Sequence, residues 1–171
     1  MPKNIEFLNI VDANNNIIGQ ASRQEIHEQK LRHRAVHIFI RYQDVIFLQL
    51  RSSHKNSFPN KWDSSAAGHL LAGEDYIVAA QRELAEELGI NLPRELFREV
   101  GEMWASEENG LEFVKIYYIE LQQLPELFLC ADEITSGGWF AINHINHWLN
   151  QQPQDFAGCF AEIWQSFRTT L

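Results

Sequence analysis

Residues Gly68 to Ile90 read GHLLAGEDYIVAAQRELAEELGI, and the rest of the chain is organised around them. Between Asp75 and Leu88 the apolar residues Ile77, Ala80, Leu84 and Leu88 recur at steps of three and four. At about 100° per residue they share one stripe, which predicts a helix over 75–88 packed on a core. Gly89 follows where a left-handed C-terminal cap is wanted. On the flank of the stripe Glu83 and Glu87 stack one turn apart, with Glu86 beside them.

Three carboxylates in the last turn of a helix are unfavourable. Like charges three or four residues apart repel, and the negative end of the helix dipole disfavours acids. Arg82 is the one cation inside the turn, so the local sum stays negative. A solvated charged face is the ordinary explanation of a Glu-rich helix. Here the acids gather at the wrong end, behind a glycine loop. An oxygen-seeking divalent cation such as Mg²⁺ or Mn²⁺ would remove the repulsion.

The spacing resembles the Nudix box at each of its defining positions: Gly68, Glu74, Arg82, Glu83, Leu84, Glu86, Glu87, Gly89 and Ile90. That resemblance implies a loop–helix–loop that binds Mg²⁺ or Mn²⁺ and acts on a diphosphate linked to another group. It assigns the metal to Glu83, Glu86 and Glu87, with the carbonyl near Gly68 as a further ligand. It makes Arg82 the residue that orients these carboxylates, and Glu74 a structural brace of the loop.

At 171 residues, with 45% hydrophobic and 12% aromatic content, the chain suits one folded domain over 1–171. A net charge of −9 argues against a broad nucleic-acid-binding surface. The small-molecule diphosphate implied by the box is itself anionic, so a metal and a few basic side chains at the cleft must overcome the overall field. Cys130 and Cys159 are the only cysteines. They read as buried thiols in a reducing compartment, with a disulfide as the alternative. No signal-peptide pattern opens the chain and no run reaches ~18 apolar residues. The expectation is a cytoplasmic protein without a membrane segment. Dimers are common in the family resembled, so a homodimer stays open.

In chain order, apolar residues flank the polar turn Asp12–Asn16, which predicts a hairpin over 5–21. Ser22 and Glu25 form a capping-box pattern for a short helix over 23–29. Strands follow at 35–40 and 45–51, then a polar loop over 52–62 carrying Lys55 and Lys61. That loop is either a phosphate-contacting lid or a solvated connection. A short strand over 63–67 delivers the chain to Gly68. After the helix, a hairpin over 96–106 and 111–121 turns at Asn109-Gly110. A last strand is expected at 139–141, and helices at 142–151 and 155–169. Strands mixed with helices, without regular alternation, argue for α+β. The Nudix resemblance sharpens this to an α/β/α sandwich around a mixed sheet.

A second resemblance spans roughly residues 8–145. The hairpin 12–19, the stretch Arg32-His33-Arg34-Ala35 and the approach Lys61 to His69 are similar to isopentenyl-diphosphate isomerases and their hydrolase-like relatives. In the isomerases a cysteine before the first box glycine protonates the alkene. Here that position is Ala67, which has no proton to give. The isomerase metal site uses three histidines and a Glu-x-Glu pair. His33 and His69 fall on two of the histidine positions, and His27 is one residue off the third, which is Ile26. The acidic pair reads Gly110-Leu111-Glu112, so one carboxylate is missing. These losses favour hydrolysis over isomerisation, with an intact acidic set arguing against a purely ligand-binding domain. His69 and His33 are candidates to touch metal or substrate, with ordinary backbone contacts as the alternative. Glu133, with Asp132 equally placed, lies in the region from which some Nudix hydrolases take a general base.

Overall fold

The computed structural model describes residues 5–168. Strands β1 (Phe7–Val11) and β2 (Ile17–Ser22) form an antiparallel ribbon. In its turn the Asp12 carboxylate accepts from the backbone N–H of Asn14 and Asn16, and Asn15 is left-handed with φ 64°. Ser22 caps α1 (Arg23–Glu28), and its hydroxyl and the Glu25 carboxylate complete the capping box.

The next two strands, β3 (His33–Tyr42) and β4 (Val45–Arg51), pair only at the tip of their hairpin, at Arg41–Ile46 and Tyr42–Val45. Beyond the tip they splay into a fork. The single strand expected over 63–67 is therefore two: β5 (Trp62–Asp63) on β4, and β6 (Ala66–His69) on β3. Ser65 sits between the prongs. Its Oγ accepts from the Ile40 N–H at 2.9 Å and donates to the Phe47 carbonyl at 2.5 Å. One hydroxyl thus satisfies groups that the separated strands cannot offer each other.

Helix α2 (Tyr76–Leu88) starts with the Asp75 side chain accepting from the Val78 N–H and stops at Gly89, φ 70°. Then come β7 (Arg98–Met103), β8 (Glu112–Leu121), β9 (Ile134–Ala141), α3 (Ile142–Gln151) and α4 (Phe160–Arg168). The main sheet runs β5-β4-β3-β8-β7, with β6 on β3 and β9 on β4. Strand β8 lies parallel to β3 in register from His33–Glu112 to Tyr42–Leu121, which makes the sheet mixed. On one face Val36, Ile38, Ile40 and Ile119 pack against Ala80, Leu84 and Leu88 of α2. On the other, Phe39, Ile46, Leu48 and Ile116 meet Ile145, Phe160, Trp164 and Phe167. The arrangement is the expected α+β sandwich. No helix among the described residues is long and apolar enough to cross a membrane.

Several boundaries differ from the sequence reading. Residues 94–96 form a 3-10 turn, so the second hairpin is shorter than expected. Its loop is not a tight Asn-Gly turn, because the positive φ values fall on Gly110 and Leu111. Asn109 instead braces the loop with its side chain, accepting from the N–H of Ser106 and Glu112. The last strand begins at Ile134, five residues early. Its glycines hid it, yet they serve packing: a Cβ on Gly137 would lie 2.2 Å from Phe47 Cζ. The final helix begins at Phe160, after a 3-10 turn over 153–155. Thr169, its expected end, lies outside the described residues.

Ser65→Ala should lower the unfolding free energy by about 2 kcal/mol or more, since it strands two buried backbone groups. Ser22→Ala, at an exposed cap, should cost only about 1 kcal/mol. Urea unfolding of the two variants checks the order; a larger loss at Ser22 would remove the fork from this account.

Candidate active site and histidine cluster

The acids of α2 face the main chain that leaves the β3/β4 fork. Glu87 is buried, and its Oε2 accepts from Gln49 Nε2 at 3.0 Å and from the Ala67 N–H at 3.1 Å. Glu83 presses so closely on Gly68 that a Cβ there would lie 2.0 Å from Glu83 Oε1. The glycine is needed for space. Glu86 is exposed and reaches back to Arg82.

Arg82 is the hub. Its Nε and Nη2 donate to the Glu74 carboxylate at 2.8 and 2.9 Å, and its Nη1 donates to Glu83 Oε1 at 2.7 Å and Glu86 Oε2 at 3.1 Å. Nη2 also donates to the His69 carbonyl at 2.9 Å. Glu74 in turn accepts from the Leu71 N–H, so the loop before α2 is locked to the same guanidinium. Burial pushes Glu83 and Glu87 well above the ordinary carboxylate range, and the neighbouring carboxylates, Glu86 for the first and Glu83 for the second, push the same way. Arg82 opposes the rise at Glu83 without cancelling it. A buried acid, a partly buried one, an exposed third and adjoining main chain form an oxygen-only donor set that is short of positive charge. Such a set fits Mg²⁺ or Mn²⁺.

The far end of α2 is tied to the segment ahead of β9. The N–H of Phe128 donates to the Leu88 carbonyl at 3.0 Å, and that of Cys130 to the Glu87 carbonyl at 2.9 Å. Three residues on, the Glu133 carboxylate pairs with Lys55 Nζ. The charge of Lys55 reaches Glu87 and lowers its pKa against the effect of burial. Lys55 and Glu133 thus stand beside the acids.

A second cluster lies across Gly68. The ligand atoms of His27, His33 and His69 all fall within 4.8 Å of one another. Glu112 Oε1 is 3.0 Å from His69 Nε2 and 3.5 Å from His33 Nε2. His33 Nδ1 is 2.9 Å from the Leu31 carbonyl, which can only accept, so Nδ1 carries the proton. His33 Nε2 is buried without a hydrogen-bond partner and lies 3.5 Å from Glu112 Oε1. A proton on that nitrogen or a bound cation would satisfy both groups. Burial lowers His69 to about 4 although Glu112 works against it. Burial would raise Glu112, yet the facing His33 and His69 hold it well below the ordinary range.

A family model described as the NUDIX domain matches residues 31–157. The chain belongs to the Nudix family. It is 42% identical over 161 residues to an isopentenyl-diphosphate Delta-isomerase of Serratia proteamaculans, covering 92% of this chain and 89% of that protein. It is 42% identical over 106 residues to an uncharacterised Nudix hydrolase of Yersinia pestis, covering 61% and 57% of the two chains. The match to Nudix hydrolase 3 of Arabidopsis thaliana spans only 10% of that longer protein. A crystal structure from Deinococcus radiodurans superposes with a TM-score of 0.80 over 95% of this chain and 99% of that one, at 24% identity, and shares the fold.

Of the residues singled out in the sequence, the Nudix fold brings Gly68, Glu74, Arg82, Glu83, Glu86 and Glu87 together, with Lys55 and Glu133 at their side. Gly89 caps α2 and lies against Phe128, where a Cβ would come within 2.9 Å of Phe128 Cβ. Lys61 is elsewhere: its Nζ donates to the Gln154 carbonyl at 2.6 Å. His33 and His69 belong to the histidine cluster, and His27 joins them while Ile26 is buried in the core. The one-residue offset in the sequence misleads because α1 ends at Glu28 and Lys30 is left-handed, φ 52°, so residue counts do not carry over into direction. Gln49 was also missed. Its only signal is that it is the one polar residue within Ile46–Leu50. His37, which carried no signal, lies 2.8 Å from Ser64 Oγ and 3.7 Å from Asp63 Oδ1, inside the sheet.

Because folding raises the proton affinity of Glu83 and Glu87, the metal-free folded state holds protons that the unfolded chain has already lost. Their contribution to stability is present below the ordinary carboxylate range and is lost as pH rises through their raised values. His69, lowered to about 4, works in the opposite sense below its usual range. Glu87→Gln therefore isolates the acids. In chelator, the melting temperature of the variant should gain on wild type between about pH 5 and about pH 8. Added Mg²⁺ should stabilise wild type most at the upper end. A pH-independent difference would contradict the reading.

Proposed function

We propose that this Nudix protein hydrolyses a diphosphate linkage in a nucleoside diphosphate derivative or a related small molecule. The observation that carries the reading is the convergence of Glu83 and the buried Glu87 on the Ala67–Gly68 main chain, under a single guanidinium that cannot neutralise them. Nudix hydrolases generally use divalent cations, and Glu83, Glu86 and Glu87 would hold Mg²⁺ or Mn²⁺ here. Bound there, the cation would neutralise phosphate oxygens and lower the pKa of a water. Arg82 keeps the carboxylates in place, Gln49 and the Ala67 N–H orient Glu87, and Lys55 supplies positive charge for the diphosphate. The Glu133 carboxylate, or an acid of the box such as Glu83 or Glu86, accepts the proton of the attacking water. The unpaired thiols Cys130 and Cys159 support a reducing, cytoplasmic setting.

A second reading, isomerisation of isopentenyl diphosphate, is favoured by the likeness to the Serratia protein and by the assembled histidines. Against it, the Ala67 methyl has no proton to transfer, and Gly110 leaves a single carboxylate at Glu112. The cluster still fits a cation of a different kind. Three imidazole nitrogens and one carboxylate suit Zn²⁺, while the all-oxygen set of the box suits Mg²⁺.

A panel of diphosphate compounds assayed with Mg²⁺ and with Mn²⁺ should yield phosphate-bearing cleavage products, without conversion of isopentenyl to dimethylallyl diphosphate. Glu83→Gln should cut turnover by ~10² or more, as expected when a group that holds several kcal/mol of transition-state stabilisation is neutralised. Isomer formation above a no-enzyme control, or full activity in Glu83→Gln, would overturn the assignment.

A further inference from the structure

The cation beside the acidic site has a site acid as its partner. Lys55 comes from the loop after β4, Glu133 from the segment before β9, and their side chains meet in an ion pair. Both backbones are pinned. The Ser52 N–H donates to the Glu133 carbonyl at 2.8 Å, and the Lys55 N–H donates to the Ser52 carbonyl at 3.2 Å. Through Cys130 the same segment is fastened to Glu87 at the end of α2. The two charged heads can therefore separate without the chain moving. Their side chains are 16% and 32% exposed, so the pair is part-buried and separates only when a ligand gives Lys55 a new partner.

We propose that Lys55 and Glu133 form a latch operated by the diphosphate. The idea rests on the hydrolase reading above and adds a sequence of events to it. Without ligand, Oε2 of Glu133 is directed at the Lys55 ammonium. A diphosphate presents more negative charge to Lys55 than one carboxylate does, and its oxygens are strong acceptors of charge-assisted hydrogen bonds. Lys55 turns to the phosphate, and Glu133 is released toward the acids it adjoins. That oxygen becomes available to water when there is a bond to cleave. Lys55 binds the ligand directly, and it also positions Glu133.

The test is calorimetric binding of Mg²⁺ methylenediphosphonate, whose P–C–P bridge cannot be hydrolysed. Lys55→Ala should weaken binding about ten-fold or more; Lys55→Gln gives the same reading if the alanine variant does not fold. Glu133→Gln should tighten binding about three-fold, because Lys55 no longer has to leave a charged partner. The double variant should bind like Lys55→Ala alone, since the gain from Glu133→Gln acts only through Lys55. On a turned-over substrate, Glu133→Gln should lower KM and kcat together. Weaker or unchanged binding in Glu133→Gln, or additive effects in the double variant, would overturn the latch and leave the hydrolase reading standing. Failure of the wild type to bind the diphosphonate would overturn both.

Discussion

One guanidinium holds this molecule's chemistry in place. Arg82 makes hydrogen bonds to Glu74, Glu83, Glu86 and the His69 carbonyl, so that a loop, a helix and a strand share one cation. Its planar fork of donors allows a geometry that the point charge of a lysine could not reproduce. The sum of charges around it remains negative. Burial first, and that surplus of negative charge second, keep Glu83 and Glu87 protonated more readily than usual, and the surplus suits the site to a divalent cation. The same arrangement explains the wrong-end placement of acids on α2: they are aligned for a ligand at the expense of the helix.

The fork in the sheet is what lets the helix reach its target. Had β3 and β4 paired along their whole length, no edge of β3 would have been left for Ala66–His69 to join. Ser65 makes the separation tolerable by capping both prongs. Gly68 then lets Glu83 close onto the main chain, and Gln49, at the open end of β4, reaches Glu87. Strand divergence, a missing side chain and one buried amide act together, and each would be of little use without the others.

How much of this could be read from the sequence varies with the kind of interaction. The helix of the box, its cap at Gly89 and the strand limits of β4 were legible because they depend on local periodicity and local caps. The charged residues Arg82, Glu83, Glu86 and Glu87 of the box were legible because their spacing is tied to one helix. What was not legible depends on long-range register. Strand β9 carries two glycines, Gly137 against Phe47 and Gly138 against Phe140, that give no strand signal of their own. His27 reaches the cluster through a left-handed residue at Lys30, three positions further on, which no count of residues reveals. Lys55 and Lys61 look alike in one polar loop, yet one turns to Glu133 and the other to Gln154, 21 positions apart in the sequence.

Strand β6 carries the last step. Gly68 abuts Glu83, while the next residue, His69, gives its ring to the histidine cluster and its carbonyl to Arg82. Two donor sets of opposite character thus meet at adjacent residues: oxygen-only on the box side, nitrogen-rich on the other. Hard cations prefer the first kind of set and borderline cations the second. The His69 carbonyl–Arg82 bond joins them mechanically, since any shift of the His69 backbone changes the anchor of the guanidinium that orients Glu83. Replacement of the isomerase-type cysteine by Ala67 leaves this scaffold intact and removes only the proton donor. What remains is the Arg82-centred acidic set on one side of Gly68 and the histidine cluster on the other, joined through β6.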